Sequence, residues 1–140
     1  MDSKEQQISW QFFENVQNRL SKKGYIEVRP PDPNEIALMK QTFGGTIPKV
    51  IAIRDVTRTT DTPLTIYNRH QEWFKKLLGN TGAGIILFAY IQPSNQVINE
   101  ALELGKGMLG YGQVVAGVYD LASNQYWMSD HMGWPDEIFG

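Results

Sequence analysis

The side chains that could do chemistry are few in this chain. It has two histidines, His70 and His131, and no cysteine. Without cysteine there is no thiol catalysis, disulfide scaffold, iron–sulfur cluster or cysteine zinc site. His131 stands beside Asp130 and close to Asp136, donor types that bind zinc. The second histidine is far away in sequence, so a solvated tail is the simpler reading of that segment. The carboxylates near candidate strand ends are Asp55, Asp61 and Glu72, each readable as a capping or solvated group. No serine sits in a G-x-S-x-G turn, so a Ser/His/Asp triad has no support. No catalytic residue, metal ligand or cofactor is therefore expected.

Two further patterns bear on binding. Gly105-Lys106-Gly107-Met108-Leu109-Gly110 spells G-x-G-x-x-G. A dinucleotide site needs that motif after a strand and at a helix start, where backbone N–H groups face the pyrophosphate. Here it follows a helical stretch and precedes a strand, as a helix C-cap and connection would. The second pattern is a local excess of positive charge over Arg54, Arg58, Arg69, Lys75 and Lys76. Arg54, Arg58, Arg69 and Lys76 are the candidate binding residues, at the rim beyond a strand and along the next helix. They would suit a protein partner with an acidic segment or an anionic lipid surface; nucleic acid ranks below these.

These residues need elements to position them. The chain has 140 residues and a formal net charge of −2, which fits one globular domain, residues 1–140, with no global pull toward nucleic acid. No apolar run approaches a bilayer span, and MDSKEQQ has no signal-peptide core, so a cytoplasmic location is expected. Ile8, Phe12, Phe13, Val16 and Leu20 recur at helical spacing and stop before Gly24. Short strands are expected at Tyr25–Arg29, Glu35–Gln41 and Lys49–Asp55. Thr62 and Pro63 open a second helix, with Ile66, His70, Trp73, Phe74, Leu77 and Leu78 on one face and Gly79 at its end. Gly84–Ile91 is apolar on both faces, as a covered central strand should be. Ser94 caps a short third helix, and Val114–Tyr119 and Gln125–Met128 read as a hairpin. Trp73 is expected in the core. The tail from Ser129 has no clear period, and an exposed Trp134 there would mark a contact or membrane-interface residue. The fold class is α/β: a mixed sheet flanked by helices, in the order α-β-β-β-α-β-α-β-β.

Strand two, Glu35-Ile36-Ala37-Leu38-Met39, and strand three, Val50-Ile51-Ala52-Ile53-Arg54, resemble the corresponding strands of the PD-(D/E)xK, or restriction-endonuclease-like, superfamily. Its α-β-β-β-α-β core matches the order expected over Ser3 to Ile91. Family chemistry uses an Asp on strand two and an acidic residue two before a Lys on strand three. The carboxylates hold Mg²⁺ and the Lys helps activate water. Here Ala37 and Ala52 stand at the two acidic positions and Arg54 replaces the Lys. An alanine methyl cannot coordinate a hard cation. The resemblance thus implies a nuclease-like scaffold whose catalytic site has degenerated.

A second resemblance runs nearly full length. The helix closing on Lys22-Lys23-Gly24-Tyr25, the strand ending Ile51-Ala52-Ile53-Arg54 and the helix bearing Gln71-Glu72-Trp73-Phe74 resemble the soluble N-terminal domain of some bacterial rhomboid intramembrane proteases. Rhomboid catalysis uses a Ser in G-x-S-G and a His, both on membrane helices; this sequence has no G-x-S-G. The resemblance implies a non-catalytic, cytosolic regulatory or interaction domain, tethered to the membrane through a C-terminal region beyond these residues. The alternatives are a PD-(D/E)xK-type nuclease or nucleic-acid-processing protein with relocated acids, and a free-standing interaction domain.

Overall fold

A computed structural model describes residues 3–42, 47–57, 59–105, 113–128 and 133–140. Its centre is a six-stranded mixed sheet whose spatial order follows the chain. The strands are β1 (Ile26–Glu27), β2 (Glu35–Thr42), β3 (Ile47–Asp55), β4 (Ala83–Tyr90), β5 (Gln113–Asp120) and β6 (Tyr126–Trp127). β1, β2 and β3 pair antiparallel, β3, β4 and β5 pair parallel, and β6 returns antiparallel. Parallel neighbours need crossovers, and helices α2 (Pro63–Leu78) and α3 (Asn95–Glu103) supply them. Helices α1 (Ser3–Lys22) and α4 (Trp134–Phe139) complete the chain.

Side-chain alternation along the central strands feeds two cores. Ile51, Ile53, Ile85 and Leu87 face one way and pack with Val16 and Leu20 of α1 and Trp134 and Ile138 of α4. Val50, Ala52, Ile86 and Phe88 face the other way, against Ile66, Phe74 and Leu78 of α2 and Ile98 and Ala101 of α3. The sheet is thus covered on both faces, which explains why β4 is apolar throughout.

The local signals for the crossover helices act as chemistry requires. Thr62 Oγ1 accepts the N–H of Thr65 at the start of α2, Pro63 opens the helix and Gly79 closes it with φ of 59°. Ser94 caps α3 by accepting the N–H of Val97. β1 and β6 are two residues each, shorter than the expected strands. One expectation about tryptophan is corrected, and the condition attached to another is not met. Trp134 is buried rather than exposed: it opens α4 and fills the core beneath α1. Trp73 is only half-buried, because its Nε1 donates to the Arg29 carbonyl at 2.9 Å and so holds the ring at the edge of the core.

Candidate functional site

Three buried polar side chains on the α2 face of the sheet, Glu35, Arg54 and His70, gather at one corner, where β2 begins and β3 ends. In the β2–β3 register Ala37 is opposite Ala52 and Glu35 is opposite Arg54. Residues paired in register share a face, so these four lie together beneath α2. Ala37 and Ala52 are buried there as ordinary small core residues. Glu35 and Arg54 sit one step nearer the corner and are buried as well.

His70 reaches this corner from the third turn of α2. It lies on the helix face that carries Ile66 and Phe74, and its side chain is completely buried, as is that of Glu35. Its Nδ1 is 2.8 Å from the Ile66 carbonyl; a carbonyl only accepts, so Nδ1 carries the proton. Its Nε2 lies 3.0 and 2.9 Å from Glu35 Oε1 and Oε2. Glu35 Oε1 also accepts the backbone N–H of Asp32 at 3.0 Å, which folds the proline-rich segment Pro30–Asn34 over the pair. Asn34 turns that segment into β2 with φ of 61°, a left-handed conformation that Asn tolerates better than most residues. The Asn34 carbonyl accepts from the Asp55 N–H and the Pro33 carbonyl from Arg54 Nη1. Trp73, Arg54, Asp55 and Glu35 thereby tie the segment down from three elements.

Asp32 and Arg69 form the outer wall. Arg69 Nη2 lies 3.0 Å from Asp61 Oδ2 and 3.2 Å from Asp32 Oδ2. The Asp61 hydrogen bond, with Asp32 alongside, raises the Arg69 pKa above its ordinary value. Asp32 Oδ2 is nonetheless buried and accepts no hydrogen bond among the described residues; Arg54 Nε is likewise buried and donates none. Asp55 is fully engaged, its Oδ2 accepting from Ser9 and its Oδ1 from the N–H and hydroxyl of Thr57.

The three expected binding residues that are described, Arg54, Arg69 and Lys76, do not form a free rim. Arg54 is only 6% exposed and serves the Pro33 carbonyl, because its strand position turns it under α2 rather than to solvent. Arg69 is committed to Asp32 and Asp61. Lys76 is exposed in the last turn of α2. Arg58 lies outside the described residues, as do Asp130, His131 and the glycine-rich run from Lys106 to Gly112. The grouping of Asp32, Glu35 and His70 was missed in the sequence. One signal was there: a histidine on the apolar stripe of a helix, which burial obliges to find a polar partner.

On the opposite face of the sheet an open groove of about 410 Å³ lies between α1, α4 and the end of β5, lined by Phe12, Arg19, Tyr119 and Phe139 among others. Tyr119 stacks on both Phe12 and Phe139. No helix among the described residues is long and apolar enough to cross a membrane. No protein-family model, curated protein or solved structure matches the chain.

Proposed function

We propose that this chain is a non-catalytic regulatory or interaction domain built on a restriction-endonuclease-like scaffold, of the kind that precedes the membrane helices of rhomboid-type proteases. One observation carries the reading. Ala37 and Ala52 face each other in register and are buried beneath α2, where a nuclease of this type would hold its metal between carboxylates. Arg54, at the lysine position, is spent on the Pro33 carbonyl and is a poor proton-transfer group. A nuclease with relocated acids is less well supported, since both oxygens of Asp55 accept hydrogen bonds from Ser9 and Thr57. The partner is a protein or an anionic lipid surface. With Arg54 and Arg69 internally engaged, the attraction is carried by exposed lysines such as Lys75 and Lys76, and it weakens with salt over a screening length of about 8 Å.

The tether is tested by reading the gene past Gly140. Apolar segments of about 20 residues, one bearing G-x-S-G, are expected; a reading frame that stops near Gly140 would contradict the rhomboid assignment.

A further inference from the structure

We infer that Asp32, Glu35 and His70 form a binding site for one divalent first-row transition cation, of the zinc or manganese type. The inference goes beyond the regulatory reading and stands independently of it, because a cation can be bound here whether or not the domain regulates anything.

Three observations converge. The first is the donor set. One ligand atom from each of the three residues can be chosen so that all lie within 4.8 Å of one another. The His70–Glu35 separations of 2.9 and 3.0 Å match the roughly 3 Å between neighbouring ligands at right angles around a cation with bonds of about 2.1 Å. With bonds of about 2.1 Å, a pair 4.8 Å apart must draw in by about 0.6 Å to take opposite octahedral positions and by about 1.4 Å for a tetrahedral ion, and Asp32 sits on a loop that can supply this.

The second is the histidine's orientation. Its Nδ1–H donates to the Ile66 carbonyl at 2.8 Å, the outer contact that metal-binding histidines use to fix ring and tautomer. That leaves Nε2 directed at two carboxylate oxygens in a fully buried setting. A lone pair and a carboxylate repel unless a positive centre stands between them. A proton satisfies Nε2 and Glu35; a divalent cation satisfies Asp32 as well.

The third is Asp32 Oδ2 itself, a buried acceptor whose partner among the described residues is the Arg69 guanidinium, 3.2 Å away. That single loose contact leaves the oxygen free to trade Arg69 for a ligated cation. Arg69 Nη2, 3.2 Å away, belongs to a side chain that is 45% exposed, so it can swing outward as the cation enters. Arg54 approaches from β3, but its Nη1 is turned to the Pro33 carbonyl.

The donors also select the ion. One imidazole and two carboxylates suit zinc and its neighbours, whereas magnesium and calcium favour all-oxygen shells. Three protein ligands leave further positions for water or a partner's side chain.

The test is titration of the purified chain, stripped with EDTA and dialysed, with ZnCl₂, MnCl₂ or MgCl₂. Calorimetry should give one Zn²⁺ or Mn²⁺ per chain with a raised melting temperature, and Mg²⁺ at equal concentration should bind at least tenfold more weakly. Asp32→Asn should weaken Zn²⁺ binding at least tenfold, while Glu14→Gln, at an exposed position of α1 on the other side of the sheet, should leave it unchanged. Paramagnetic Mn²⁺ should broaden the NMR signals of His70 and of the Asp32 and Glu35 amides first, a readout that needs no variant to fold. Absence of one-to-one binding, equal binding by Asp32→Asn, or broadening centred elsewhere, such as on His131, would overturn the inference.

Discussion

At the scale of single residues, the energetics turn on groups that are buried and polar. Glu35 and His70 have no exposed side-chain surface, so removing one strands the other in a low dielectric. Glu35→Ala should cost about 3–5 kcal/mol in urea unfolding of EDTA-treated protein. Arg69→Ala should cost less than Glu35→Ala, because Arg69 is 45% exposed and its pair with Asp61 lies at the surface. Phe88 is completely buried in the core under α2 and α3, and Phe88→Ala should cost roughly 3–5 kcal/mol; unchanged unfolding would contradict its central position. Asp120 offers a pH-dependent case. Burial opposes its charged form, but hydrogen bonds from the Gln92 and Ala122 N–H groups and the Ser123 hydroxyl outweigh it and hold the carboxyl below its ordinary value. A carboxyl lowered by folding stabilises the native state above its unfolded pKa of about 3.9, and that stabilisation disappears as pH falls through the folded value. Asp120→Asn should therefore melt lower than the wild type at pH 7, with the gap narrowing below about pH 4. A gap that stays constant to pH 3 would contradict this.

At the scale of elements, what could be read in the sequence was local. Thr62-Pro63 and Ser94 are caps whose partners lie three residues away, so the starts of α2 and α3 are written in adjacent residues. Helix α4 was not legible. It has six residues, too few to show a period, and it exists because Trp134 and Ile138 find the underside of the sheet. The site was illegible for a similar reason. Asp32 and Glu35 are neighbours in sequence, but only the β3–α2 crossover delivers His70 to them, and only strand register shows that Arg54 points inward. Packing between α2 and β4 depends on a glycine: a Cβ on Gly84 would lie 2.8 and 2.9 Å from Phe74 ring carbons. Gly84→Ala should thus cost about 1–3 kcal/mol by pushing α2 outward, and adding Phe74→Leu should recover part of the loss in thermal melts. No loss in the single variant would show that α2 has room to spare.

At the scale of the whole molecule, the three layers divide the labour. The α1–α4 side holds a largely aliphatic core and an open groove edged by stacked aromatic rings. The α2–α3 side holds the polar corner at the carboxyl end of β3, the end of a parallel sheet where α/β proteins place their ligands. On the proposed reading, this corner does not cleave nucleic acid. The most direct test of that reading is incubation of supercoiled plasmid and of single-stranded DNA and RNA with the purified chain in Mg²⁺ and separately in Mn²⁺. No nicking or shortening above the buffer control is expected in either metal. Metal-dependent cleavage that co-purifies with the folded chain and is abolished by Asp32→Asn or Asp55→Asn would contradict the reading.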